Sequence, residues 1–248
     1  MFCSSFTTFI SSASSNNTSY PVANIQNIDN IGLHFRNNST VNCTIMCDLG
    51  AVKNISGVFI DDVNFAAMTL IHSTTTAFTA STSATYTIAK DSPFRYKHFC
   101  ALATSVKALK IVIPTQSPID GTTYFKIGRV GVISNSTLTL QVNPQFPYRK
   151  RYLDFIETNE FPSGGFEDVE VGGKIAMECD FGWNARNTTY GTDIRTLAEW
   201  KRNQNLFFFE NKSDYSKAYI CRRRTILSQS LDDADAESIE TITLREVI

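Results

Sequence analysis

The side chains able to do chemistry are few and scattered. Three histidines, His34, His72 and His98, stand apart in the chain, and none shares the spacing that brings two imidazoles onto one metal. Two acidic pairs, Asp61-Asp62 and Asp232-Asp233, are the obvious carboxylates for glycoside hydrolysis, which needs two carboxyl groups facing each other across a bond. As sequence neighbours they read instead as turn or surface charges. A Gly-x-Ser-x-Gly elbow, a phosphate loop, a dinucleotide fingerprint and a Cys-x-x-Cys pair are all missing. The expectation is a chain without catalytic residues, metal ligands or cofactor, and so not an enzyme.

The six cysteines support a structural reading. In Val41–Leu49 the residues Val41, Cys43, Ile45, Cys47 and Leu49 alternate with Asn42, Thr44 and Asp48, the period of a half-buried strand. Cysteines four apart on a strand are separated by roughly 13 Å, too far for a mutual disulfide or a shared metal. Lys174–Phe181 repeats the pattern, with Cys179 among Ile175, Met177 and Phe181. Cys43, Cys47 and Cys179 are therefore expected to be buried, reduced filler. Nine Asn-x-Ser/Thr triplets point the other way, towards a secreted glycoprotein. One of them, however, starts at Asn42, inside the strand just described.

Charge is nearly balanced, with 23 basic and 24 acidic residues for a net of −1. The short runs Arg149–Arg151 and Arg222–Arg224 are too small for a nucleic-acid footprint, so no nucleic-acid partner is expected. The first 19 residues are polar and broken by hydroxyls, unlike a secretory leader. No stretch approaches the ~20 apolar residues that cross a bilayer. A soluble protein made in the cytoplasm is expected, with no membrane partner.

These residues must be positioned by strands. Short alternating or apolar runs recur at Val58–Ile60, Tyr86–Ile88, Leu109–Ile113, Tyr124–Ile133, Leu138–Val142, Leu206–Phe209, Ala218–Cys221 and Ile239–Ile248. Ser73–Ser83 is a Ser/Thr/Ala-rich loop or edge strand. One helix is expected, over Thr192–Arg202, where Ile194, Leu197 and Ala198 share a face. The prolines in Asn143–Tyr148 mark a linker, and Pro162–Gly165 a later loop. The expected fold is all-β with two sandwich domains: an arm over 1–19, a first domain over 20–142 and a second over 143–248 carrying the short helix.

Within the first domain stand Tyr20-Pro21, then Asp48-Leu49-Gly50, then Val58–Phe65 ending in Asn64-Phe65, and finally Ile127-Gly128-Arg129. In this order the four features resemble the discoidin-like, galactose-binding-like jelly roll of tailed-bacteriophage tail and virion proteins, over about residues 18–133. The family pattern carries a His where this chain has Val63. The resemblance implies a structural virion component, in a tail, tail tip or baseplate, whose partners are copies of itself and other virion proteins. The alternative is a carbohydrate-binding module for host adhesion, with Phe65, Phe78, Phe94 and Tyr96 as candidate sugar-stacking rings; the two are compatible. A secreted lectin rests on the Asn-x-Ser/Thr triplets alone. Local roles are also open to these residues: a turn at Gly50, a loop cap at Asn64, and a bulge or close approach at Gly128.

Overall fold

The computed structural model describes residues 2–30, 32–91, 95–139, 149–160, 166–179, 183–185, 205–209, 214–223, 229–233, 236–239 and 242–247. The chain divides into two compact units. The first holds Met1–Thr139, Asn205–Ile220 and Ile248, the second Leu140–Gln204 and Cys221–Val247. This differs from the expected division in two ways. The anticipated arm over 1–19 carries two strands of the first unit, and a later segment, 205–220, also belongs to that unit. Hydroxyl residues interrupt the apolar pattern of Phe2–Ile10 and conceal the strand there, although Ser4 and Phe9 are buried.

The first unit contains β1 (Phe2–Thr7), β2 (Ile10–Ala13), β3 (Phe35–Arg36), β4 (Cys43–Val63), β5 (Ala67–Ser73) and β6 (Ser81–Thr87). It continues with β7 (Ala89–Asp91), β8 (Arg95–Ile113) and β9 (Lys126–Thr139). Runs expected to be separate strands are joined: Val41–Leu49 and Val58–Ile60 belong largely to β4, and Leu109–Ile113 is the end of β8. Gly50 (φ 75°) and the exposed residues Ala51–Asn54 interrupt the hydrophobic pattern where β4 bends. The Gly50 N–H donates to Asp48 Oδ1 at 2.9 Å, so the turn expected at this glycine is present. Val41 and Asn42 lie just before the strand and are exposed. Val41 is therefore not part of the buried face assigned to it, and the Asn42 triplet starts outside the strand.

The bend places β4 and β8 in two layers at once. Their inner halves pair with each other, β2 adds to β4, and β5 and β6 extend from β8. The other halves pair again, with β9 on β4 and β1 and β3 on β9. Cys43, Ile45, Cys47, Leu109 and Ile111 from one layer and Val58, Ile60, Ile127, Val130 and Val132 from the other form one buried cluster. This is the two-layered antiparallel sandwich expected for the first half. Cys43 and Cys47 are free and buried, and burial pushes the Cys47 thiol up to about 12. Tyr86 and Ser73–Ser83 also behave as expected, since β6 is mostly exposed and pairs with β5 among the described residues.

Burial on both faces explains the unbroken apolar run Val58-Phe59-Ile60. Phe59 and Phe99 point away from the central cluster and pack on β13 (Leu206–Phe209), with Phe207 at 5.5 Å from Phe59 and 4.8 Å from Phe99 between ring centroids. Among the described residues the one helical turn is a 3-10 turn at Val22–Gln26, entered through Pro21.

The second unit contains β10 (Arg149–Glu160), β11 (Phe166–Cys179) and β12 (Trp183–Ala185). Strand β14 (Ala218–Arg223) begins in the first unit and ends in the second, which then adds β15 (Gln229–Asp233), β16 (Ala236–Ile239) and β17 (Ile242–Glu246). Strands β10, β11, β17 and the end of β14 form one antiparallel sheet. Strands β12, β16 and β15 form another. The helix expected at Thr192–Arg202, the linker Asn143–Tyr148, the loop Pro162–Gly165 and the side chain of Cys179 lie outside the described residues.

A Cβ at Gly57 would meet the Cys100 carbonyl and the Phe99 ring. Gly57→Ala is therefore expected to cost about 1–3 kcal/mol in denaturant unfolding, while Gly50→Asn, in open space at positive φ, stays near wild type.

Candidate functional site

The site is built where β4 ends. A buried carboxylate, Asp61, accepts hydrogen bonds from Arg129 of β9 through Nε at 2.9 Å and sits 2.8 Å from its Nη2. Arg95 of β8 approaches the same oxygen at 3.4 Å. Burial pushes the Asp61 carboxyl up, but Arg95, Arg129 and Lys97 outweigh it and hold it at about 2. Arg129 also donates from Nη1 to the Ile28 carbonyl at 2.9 Å, which fastens the segment after the helical turn to the sheet. Asp61, expected as a turn or surface charge, is thus the centre of a buried ion cluster.

The next residue faces the other way. The register of β4 against β8 shifts between Asp61 and Val63, and Asp62 takes a left-handed conformation with φ 55°. Asp is among the few residues besides glycine that adopt it readily. The bulge sends Asp62 to the surface, where Oδ2 meets Lys126 Nζ at 2.7 Å.

Asn64 then secures the loop that follows β8. Its Nδ2 donates to Thr122 Oγ1 at 2.9 Å and the Tyr124 carbonyl at 3.0 Å, and also lies near the Asp120 carboxylate. Its Oδ1 accepts the Lys126 N–H at 2.7 Å. The loop-capping role expected for Asn64 is the one it performs. Gln116 makes a second clasp, accepting from the Ala66 and Ala67 N–H groups and donating to the Ala67 carbonyl. Asp120 is held below the usual carboxylate range: burial pushes it up, but the Thr122 hydroxyl and N–H and the Asn64 amide lower it by more.

Between these parts lies a cleft of about 430 Å3, lined by Asp62, Val63, Asn64, Arg95, Tyr96, Ile119, Asp120 and Lys126. Two carboxylates and two cations therefore face one opening beside a tyrosine ring. Of the candidate rings among the described residues, Tyr96 alone lines the cleft. Phe65 is fully buried against Phe125, Phe78 sits under Lys110 at the β5–β6 turn, and Phe94 lies outside the described residues. Arg95 and Asp120 carry no motif, but Asp120-Gly121 is a turn signal that marks the loop.

Beside Lys126, whose partner across β3 and β9 is Arg36, stands an aromatic stack. The Arg36 guanidinium lies 3.9 Å from the Tyr20 ring and 4.7 Å from that of Tyr124. His34 stacks on Tyr20 at 4.8 Å, accepts from Arg36 Nε through Nε2 at 2.7 Å and donates from Nδ1 to the Gly32 carbonyl. The three histidines stay apart: His72 is on β5 and His98 is buried between Tyr86 and Tyr215. Among the described residues no cluster of His, Cys, Asp or Glu is arranged to hold a metal. Asp232-Asp233 ends β15, and Asn37, which begins an Asn-x-Ser triplet, is buried and accepts the Phe125 N–H.

No protein-family model and no curated protein matches this chain. Solved structures do. The lectin domain of lectinolysin complexed with Lewis B antigen is 13% identical with a TM-score of 0.41, over 52% of this chain and 94% of that one. A family 32 carbohydrate-binding module of C. perfringens NanJ in complex with galactose is 14% identical with a TM-score of 0.42, over 53% and 99%. A chitosan-binding module of a Paenibacillus chitosanase/glucanase is 15% identical with a TM-score of 0.41, over 54% and 100%. Each of these modules is thus matched over nearly its whole length by about half of this chain.

Asp61→Asn leaves two guanidinium groups around a neutral amide in a buried site. It is expected to destabilise the protein by about 3–5 kcal/mol in urea unfolding, with Asp62→Asn near wild type as the control.

The pKa values of His34, His72 and His98 are all lowered, chiefly by burial, from 6.5. The unfolded chain therefore binds more protons than the folded one in the window below 6.5. Stability is full above that pH and falls as the pH drops through the window, so the melting temperature is expected to decline between pH 7.5 and 5.5. Replacing buried His98 with Gln should flatten the decline.

Proposed function

We propose that the first unit is a non-catalytic carbohydrate-binding module whose site is the cleft at the end of β4. The observation that carries this reading is the balanced polar lining. Asp62 and Asp120 offer acceptors, Arg95 and Lys126 offer donors, and Tyr96, which also packs against the core, offers ring surface. An anion site would carry an excess of cations, whereas a neutral polyhydroxylated ligand needs donors and acceptors together with a face to stack on. The volume lies within the range of small-molecule clefts.

The groups are also fixed in advance. Asp61 sets Arg95 from behind, Asn64 and Thr122 set Asp120, and Asp62 and Lys126 hold each other. Groups already ordered lose little freedom on binding. Hydrolysis finds less support, because a general acid must stay protonated near neutral pH. Asp120 is shifted in the opposite direction. The virion context rests on the resemblance over residues 18–133; there such a module would supply adhesion to a host glycan.

A glycan array probed with the whole chain is expected to return neutral glycans, with no release of reducing sugar on incubation. Tyr96→Ala should lower affinity at least ~tenfold, as removal of a central aromatic contact does. An array without hits removes the reading, and hydrolysis of a bound glycan removes its non-catalytic part.

A further inference from the structure

We propose that β6 is a dimerisation edge, on which a second copy of this chain adds its own β6, antiparallel about a two-fold axis. Among the described residues β6 pairs with β5 alone and ends the run of strands β4-β8-β5-β6. Its seven residues, Ser81–Thr87, match β5 from Ser73 to Ala67 without a register shift, and all but Tyr86 are exposed. A regular edge of this length is a template for another strand, and proteins that keep one in water protect it with charge, proline or a bulge. None of these is present in β6. From Ser73 to Ala89 there is no charged residue, no proline and no glycine. By contrast β10, at the edge of the second unit's sheet, carries Arg149, Lys150, Arg151, Asp154, Glu157 and Glu160. Strands β2, β3 and β7 are short, at four, two and three residues.

The chemistry of the strand selects its own kind. A two-fold axis through Ala84 sets Ser83 opposite Thr85 and Ser81 opposite Thr87 of the second copy, all on one face of the sheet. That face already pairs hydroxyls within one chain: Thr69 and Thr85 stand opposite each other with their Oγ1 atoms 3.1 Å apart. Cross-strand hydroxyl pairs stabilise a sheet, and self-pairing of β6 extends the same ladder by one strand. An uncharged strand meets its own image without like-charge repulsion, whereas an acidic or basic peptide finds no opposite charge on it. Pairing of this kind uses the same surface on both copies and closes at two. Seven residues bury less surface than a standard interface, so the dimer is weak and forms with rising concentration. No residue of β6 lines the cleft, and the inference is independent of the carbohydrate reading.

The test is sedimentation velocity of the full chain from ~1 μM to ~1 mM, the span in which small interfaces associate. A passage from monomer to dimer mass is expected, with its midpoint at ~10–100 μM. Ser83→Lys combined with Thr85→Lys sets lysine against lysine across the two-fold, on a face that is exposed in the monomer. That variant should stay monomeric at every concentration with an unchanged melting temperature, and so should Ser83→Glu combined with Thr85→Glu. Mixed in equal amounts, the two should form a heterodimer. If the double variants do not fold, Ser83→Lys and Ser83→Glu alone are read in the same way. Wild-type protein that is monomeric throughout overturns the proposal. A dimer that survives in both variants, a mixture that stays monomeric, or wild-type assembly beyond two copies overturns it equally.

Discussion

Asp61 gives up contact with water entirely and is held instead by the fork of Arg129, with Arg95 close by. Charge burial of this kind is costly unless it is compensated; here Asp61 Oδ2 accepts the Arg129 Nε–H at 2.9 Å and lies 2.8 Å from Nη2 of the same guanidinium. Three pieces of chain converge on this one contact: the end of β4, the start of β9 and the segment at Ile28. With Asp61 locked inward, the backbone bulge turns Asp62 outward to Lys126. The cleft therefore inherits its shape from a buried ion cluster behind it.

The second organising device is the pair of long strands β4 and β8, each contributing to both layers of the first unit. Sharing strands lets one hydrophobic cluster serve both sheets. It also demands close passage where the strands bend and cross, which is why Gly57 lies against the Cys100 carbonyl and the Phe99 ring. The outer aromatic face, Phe59 and Phe99, is then covered by Phe207 and Phe209 from a distant part of the chain.

Period-two patterning made the strand class legible, and Cys43 to Leu49 alternates between buried and half-buried as the residue types imply. The motif positions were legible as markers, and the structure supplies their reasons. Arg129 of the Ile-Gly-Arg is the buried partner of Asp61, Asn64 clasps the loop, and Val63, in place of the family's His, is core. Other features were hidden. Nothing local distinguishes Asp61 from Asp62, because a register shift decides which one is buried. Arg95 and Asp120 come from elements far apart in sequence, and only pairing brings them to one opening. The strand within Phe2–Thr7 was masked by its hydroxyl side chains, since Ser4 is buried through a hydrogen bond to the Ser134 carbonyl and not through apolar character.

The pairing of β1 with β13, Phe2 opposite Phe209, has a consequence for biosynthesis. A ribosome delivers Phe2–Thr7 long before its neighbour Leu206–Phe209, with a segment of the second unit emerging between them. The nascent first unit must wait with one flank unfilled until Leu206–Phe209 leaves the exit tunnel. Contacts so remote along the chain form slowly, and an unpaired strand edge during that delay is open to wrong partners. Completion of this sandwich is thereby tied to the synthesis of Leu206–Phe209.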